Sequence, residues 1–117
     1  MKTVFLWYPK CSTCQKAKKW LDDHSIEYTP RSITEENPTR EELTQWISRS
    51  GLPVQKFFNS SGLLYRSMDL KNKLKLLSDE EKIALLATDG MLVKRPLLVM
   101  DDTVLVGFKE DQWNNIK

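Results

Sequence analysis

Two thiols three residues apart, Cys11 and Cys14, are the side chains whose type and spacing point most directly to covalent chemistry in this 117-residue chain. They stand in Trp7-Tyr8-Pro9-Lys10-Cys11-Ser12-Thr13-Cys14. An apolar run from Thr3 to Tyr8 leads in, and a helical pattern from Ser12 to Asp23 leads out. The first sulfur therefore falls where a strand ends and a helix begins. Unpaired first-turn amides and the positive end of the helix dipole stabilise negative charge at such a point. With a cation nearby, the setting favours a thiolate over a thiol. Lys10 and Lys16 are the local cations. One helical turn separates the two sulfurs, which puts them on one face. Cys14 can then attack a mixed disulfide formed at Cys11. The roles expected are nucleophile for Cys11 and resolving thiol for Cys14.

Two other readings of the pair stand beside this one. A structural zinc site needs about four ligands, whereas the chain has two cysteines and one histidine, His24, at the far end of the same helix. Alternatively, both cysteines pack inertly in a core, where free cysteine is common. The strand-to-helix position favours redox chemistry, because it supplies a mechanism.

Composition narrows the class. A 40% apolar and 29% charged chain of this length suits one compact domain spanning residues 1–117. With 18 basic and 16 acidic residues, the net charge of +2 is too balanced to imply direct nucleic-acid binding. No apolar run approaches the roughly 20 residues that cross a bilayer. The N-terminal run is short and ends at Pro9-Lys10, unlike a signal peptide. A cytoplasmic protein with mostly reduced thiols and no membrane contact is expected.

The elements that must position the thiols follow in order. Thr3 to Tyr8 is apolar on both faces, as in a central strand, and Pro9 ends it. In the next helix Cys14, Ala17, Trp20 and Leu21 form the apolar side, while Lys16, Lys18 and Lys19 fall mostly on a solvated side. His24 lies at that helix's end, too far from Cys11 to act there. Ile26 to Ile33 reads as an edge strand, since Pro30 has no N–H. Together these make a βαβ unit with parallel strands.

The middle, about residues 37–93, reads as a helical insertion packed on the same domain. Thr39-Arg40-Glu41-Glu42 fits a capping box, with Leu43, Trp46 and Ile47 as the apolar face and Gly51 as the stop. Pro53 opens a short helix carrying Val54, Phe57 and Phe58, and Asn59-Ser60-Ser61-Gly62 is a turn. Leu70, Leu74 and Leu77 mark a further helical segment. Ser78 begins a second capping box, its helix closing near Gly90. Leu97–Met100 and Thr103–Val106 are strands of a hairpin turning at Asp101-Asp102. A final helix carries Trp113 and Ile116. The sum is an α/β fold with a thioredoxin-like mixed four-stranded sheet, the insertion lying between the βαβ unit and the C-terminal hairpin. Pro96 sits just before the third strand, where that fold usually carries a cis proline, so Arg95 would offer its backbone to an incoming substrate. From the residues alone, Arg95 reads as a surface or strand-end ion pair.

Several separated stretches resemble the arsenate reductase-related family, which includes the Spx-type transcription regulators. They are Tyr8 to Cys14, Glu36 to Leu43, Lys94-Arg95-Pro96-Leu97 and Val106-Gly107-Phe108, in the expected order along nearly the whole chain. The resemblance implies that Cys11 is the reactive cysteine and that Arg95 stabilises its thiolate or an anionic substrate. The family's glutathione-coupled arsenate reductases use three arginines around the oxyanion, and a serine commonly stands where this chain has Cys14. Arg95 matches one arginine. Asn59 stands at the second position, and Gly107 or its neighbour at the third, with Lys109 close by. Losing two forks removes much of the bidentate recognition of an oxyanion, so efficient arsenate reduction is not expected.

Two functions follow. One is a thiol–disulfide oxidoreductase acting on a disulfide, a glutathionylated protein or, less favourably, an oxyanion. Cys11, Cys14 and Arg95 would act catalytically, and Pro96, Lys10 and Asn59 would position the substrate. Glutathione or a thioredoxin-like protein would restore the dithiol, with no metal or organic cofactor. The other, implied by the Spx resemblance, is a redox-switched regulator that binds RNA polymerase, with Gly51 near the region such regulators use for that contact.

Overall fold

The computed structural model describes residues 3–116. Its centre is strand β1, Val4–Trp7. Apolar residues on both faces demand cover on both faces, and β1 has it: Phe5 and Leu6 are both fully buried. On one side β1 pairs in parallel with β2, Thr29–Ser32, in the register Val4 to Thr29 and Trp7 to Ser32. On the other it runs antiparallel to β3, Leu97–Val99, which turns back into β4, Val104–Val106. The sheet order is β2-β1-β3-β4.

Strand parity splits the core in two. Phe5 pairs with Leu98, and this face packs with Ala17, Trp20, Leu21 and Met100, and with Trp113. Helix α1, Ser12–Asp23, and helix α6, Glu110–Trp113, supply this cover. Leu6 pairs with Leu97, and the opposite face packs with Ile33, Leu43, Trp46 and Phe57. That layer contains α2, Arg40–Ser50, α3, Leu63–Ser67, α4, Leu70–Lys73, and α5, Asp79–Leu86. Short 3₁₀ turns at Val54–Phe57, Leu74–Leu76 and Gly90–Leu92 connect them. A mixed four-stranded sheet covered on both faces, entered by a βαβ unit and closed by a hairpin, is the thioredoxin-like arrangement. Among the described residues, no helix is long and apolar enough to cross a membrane.

Both expected capping boxes are present, at Thr39 with Glu42 and at Ser78 with Glu81. Gly51 ends α2 in the left-handed region, at φ 72°, where glycine carries no Cβ penalty. Three details differ from the sequence reading. Strand β2 starts at Thr29 rather than Ile26, because the chain first closes α1: the Ile26 amide donates to the Leu21 carbonyl, and Ser25 turns at φ 55°. Pro30 does lie on the edge strand. Helix α3 was not foreseen, since it has no buried residue and so leaves no apolar stripe in the sequence. Pro53 precedes a 3₁₀ turn instead of opening an α-helix.

One polar clamp joins the edge strand to the insertion. Arg31 of β2 donates to both carboxylate oxygens of Glu42, at 2.7 and 2.8 Å. Its Nε donates to the Glu36 carbonyl at 2.8 Å, and its guanidinium lies 5.7 Å from the Trp46 ring centre. Glu42 also accepts the Thr39 amide at 3.0 Å, so a single carboxylate caps α2 and ties it to the sheet. These donors, Arg31 foremost, hold the Glu42 carboxyl down at about 2, against burial, which opposes them.

A carboxyl held below its ordinary value stabilises the fold above that value and loses its contribution as pH falls toward the lowered one. Glu42→Ala should cost roughly 1–3 kcal/mol at neutral pH in urea denaturation. That deficit should shrink between about pH 4.5 and about pH 2. A deficit that stays constant across this window would show that the charge of Glu42 is not what holds β2 to α2.

Candidate active site

The turn after β1 delivers Cys11 to the start of α1. Its amide donates to the Tyr8 carbonyl at 3.0 Å, and the Gln15 side chain reaches back to the Pro9 carbonyl at 2.6 Å. Cys11 is the N-cap of α1, in extended backbone, and its Sγ accepts the Cys14 amide at 3.3 Å. The sulfur thus occupies the place a serine or aspartate oxygen takes in most caps. The first turn of α1 carries no acidic residue, so no neighbouring carboxylate there competes for the helix dipole.

The two thiols have different surroundings. Cys11 is partly exposed, whereas Cys14 is completely buried; both are free thiols. Burial is the main influence pushing the Cys14 thiol up to about 12, from an ordinary value of 9.0. A hydrogen bond with the Cys11 side chain and the charge of Cys11 push the same way, while a hydrogen bond with the Tyr8 backbone and the charge of Arg95 oppose them.

Arg95 immediately precedes Pro96, which is buried and joined to it by a cis peptide bond. Its guanidinium sits 5.2 Å from the centre of the Tyr8 ring, and Nη1 donates to the Met91 carbonyl at 3.4 Å. Among the described residues it has no carboxylate partner. The sequence reading of Arg95 as a surface ion pair is therefore overturned: the cation is held over an aromatic face, with its charge left unneutralised.

An open groove of about 1420 Å³ runs past Cys11. Lys10, Asn59 and Arg95 line it with Cys11, and so do Gly107 and Lys109. The two positions that stood in place of arginines are thus at the same site as Arg95. Asn59 is almost fully buried there; its backbone N–H donates to the Leu92 carbonyl at 2.8 Å, and its side-chain Oδ1 accepts from the Ser61 hydroxyl at 3.3 Å. Cys14 and Pro96 are buried and are not among the residues that line the groove. Lys16 is not part of the groove. His24 is at the other end of α1, stacked 4.0 Å from the Trp20 ring centre with Nδ1 2.8 Å from the Trp20 carbonyl oxygen. Among the described residues, no cluster of three or more His, Cys, Asp or Glu side chains is placed to hold a metal ion.

Sequence reasoning passed over Tyr8, Lys56 and Lys94, which line the groove, and Gln15, which braces the Cys11 turn through the Pro9 carbonyl. The i+4 step from Cys11 to Gln15 was a usable signal for a side chain over the same turn. Lys56 had none, because the insertion that carries it is brought to the groove only by tertiary packing.

Residues 6–116 match the ArsC family. The chain belongs to the ArsC family. YusI of Bacillus subtilis is 52% identical over 113 residues, covering 97% of this chain and 96% of YusI. The regulatory protein MgsR of the same organism is 30% identical over 105 residues, covering 90% of this chain and 82% of MgsR. The crystal structure of an ArsC family related protein from Bacteroides fragilis superposes with a TM-score of 0.98 at 61% identity, covering 100% of this chain and 98% of that one. As an ArsC-family member the chain carries a CxxC pair at the start of α1 and one arginine, Arg95, beside it.

The contrast in burial sets an order of reactivity. Iodoacetamide at neutral pH should label Cys11 at least about 10-fold faster than Cys14, since reaction needs an accessible thiolate. Fragment-ion mass spectrometry of the peptide holding both cysteines would read this, and denaturation should release Cys14. Equal labelling in the folded protein would contradict the buried placement of Cys14.

Proposed function

We propose that this ArsC-family protein is a thiol–disulfide oxidoreductase working through Cys11 and Cys14. The observation that carries the reading is the paired geometry at the start of α1: an accessible sulfur capping the helix, and a second, buried thiol one turn behind it. Cys11 as thiolate attacks one sulfur of a substrate disulfide, and the other sulfur leaves as a thiolate. A mixed disulfide then occupies Cys11. With that sulfur neutral and bonded, the influences of Cys11 that keep the Cys14 proton in place are gone. Burial still opposes ionisation, while Arg95 and the Tyr8 backbone favour it. Cys14 loses its proton, attacks Sγ of Cys11 and expels the substrate thiolate. The pair ends as a disulfide, the substrate as two thiols, and an external thiol such as glutathione or a thioredoxin-like protein returns the pair to the dithiol.

Arg95 suits the anionic partner in both steps, because its charge is not neutralised by a carboxylate. Arsenate fits less well. An amide at Asn59 and, at the third position, Gly107 or its neighbour stand where charged forks are expected around an oxyanion, and an amide cannot supply a guanidinium's charge or bidentate grip.

A second reading, a redox-switched regulator binding RNA polymerase, draws support from the match to MgsR, named as a regulatory protein. Gly51 ends α2 with open space where a side chain would stand. Recovery of polymerase with either the oxidised or the reduced protein in a pull-down would favour it, and recovery with neither would count against it.

For the oxidoreductase, Cys11→Ser should lower turnover of a mixed-disulfide substrate by at least about 100-fold. Cys14→Ser should instead accumulate the mixed disulfide at Cys11, visible as an intact-mass adduct. In a glutathione redox buffer the native pair should form a reversible disulfide with a potential at or above about −270 mV. Turnover surviving in Cys11→Ser would sink the reading. In that same variant, where a neutral hydroxyl replaces the sulfur, the Cys14 thiol should titrate below its value of about 12, as followed by thiolate absorbance.

A further inference from the structure

The groove beside Cys11 has a composition unlike the rest of the chain. Five cations line it, Lys10, Lys56, Lys94, Arg95 and Lys109, against a single carboxylate, Asp89. Over the whole chain the corresponding numbers are 18 and 16. Among the described residues, none of the five cations is paired with a carboxylate. Asp89 is already engaged, accepting the Met91 amide at 2.8 Å. A concave surface of one sign concentrates ligands of the other.

The same groove is lined by exposed leucines. Leu63 is 82% exposed and Leu52 is 40% exposed, and both lie on it. Only Leu76 joins them as an exposed large apolar side chain among the described residues. Isolated exposed leucines need no explanation, but apolar groups on the rim of a reactive, charged groove offer contact area that a small anion leaves unused. Size points the same way. Pockets for drug-sized ligands span roughly 300–1,000 Å³, and this groove, at about 1420 Å³, is larger.

We infer that the groove binds a polypeptide segment whose disulfide-bonded cysteine is flanked by carboxylate side chains and a large apolar residue. This rests on the oxidoreductase reading and names its substrate class: a protein mixed disulfide in preference to a small one. The carboxylates meet the lysines, the apolar side chain covers Leu63 or Leu52, and the cysteine reaches Cys11. The reaction is balanced as before. Cys11 forms a bond to the peptide sulfur and the capping thiol leaves as its thiolate. Cys14 gives up its proton to water and attacks Cys11, and the peptide departs as a thiol with the pair oxidised.

Peptides of one length, each with its cysteine joined to thionitrobenzoate, test this by release of the coloured thiolate. Three carry acidic residues with leucine, acidic residues with serine, or basic residues with leucine around the cysteine. The mixed disulfide of thionitrobenzoate with glutathione is the small-molecule reference. With the native protein, the acidic, leucine-bearing peptide should react about 10-fold faster than the reference. Its advantage should fall when salt rises from about 50 to about 500 mM, as screening weakens the lysine contacts. The acidic peptide with serine should lie between the two. Leu63→Ser alters an exposed residue and should not disturb folding; it should lower the ratio of the leucine-peptide rate to the reference rate by about 3-fold. Equal rates for all substrates, or faster release from the basic peptide, would overturn this substrate class while leaving the oxidoreductase reading intact. No release from any substrate would overturn both.

Discussion

The central strand β1 is the constraint on which the rest depends. Four residues, Val4–Trp7, hold two fully buried side chains on opposite faces. Each face must be covered, so the chain builds one layer from α1 and α6 and another from the insertion. Because β1 lies between β2 and β3, its C-terminal end opens between those two layers. The turn after it brings Cys11 to the start of α1. The Cys11 sulfur is therefore located by hydrophobic burial one strand-length away, and it accepts a hydrogen bond from the Cys14 amide.

The two cysteines divide their duties through their surroundings. Cys11 faces the groove and caps the helix, where backbone amides offer stabilisation to an anion. Cys14 is enclosed by the core, which keeps its proton on while Cys11 is free. In the proposed reaction, the second thiol is restrained until the first is occupied. Arg95 lies over Tyr8, which ties its charge to the turn that also carries Cys11. The lysines give a nearly neutral chain one concavity lined mostly by positive charge, beside Cys11.

Holding the insertion against the sheet needs more than apolar packing, since β2 is a short edge strand with a proline in it. Arg31 and Glu42 supply the link. Their pair is bidentate and only partly exposed, which distinguishes it from the lysine–aspartate pairs on the outer face of α1, where solvent screens the attraction. Gly90 shows a related demand. The sequence reads as a helix closing near Gly90, but α5 ends at Leu86 and Gly90 begins a 3₁₀ turn; a Cβ there would collide with the Ile33 carbonyl, so the glycine lets the insertion approach the end of β2 closely.

Local chemistry made much of this legible in advance. Alternating and continuous apolar runs, two capping boxes and a CxxC pair act over a few residues, so β1, α1, α2, α5, the hairpin and the place of Cys11 at the start of α1 could be read from the sequence by itself. Boundaries that depend on competition between neighbours were less visible: β2 yields its first residues to the closure of α1, and α3 buries its apolar residues Leu64 and Tyr65 only in part. Tertiary structure alone decided that Arg95 stands unpaired beside Tyr8, that Arg31 grips Glu42, and that Lys56, Leu52 and Leu63 share a groove with Cys11. Those outcomes join residues from 11 positions apart, for Arg31 and Glu42, to 87, for Tyr8 and Arg95, and no periodicity in a chain records which side chains its folding will bring face to face.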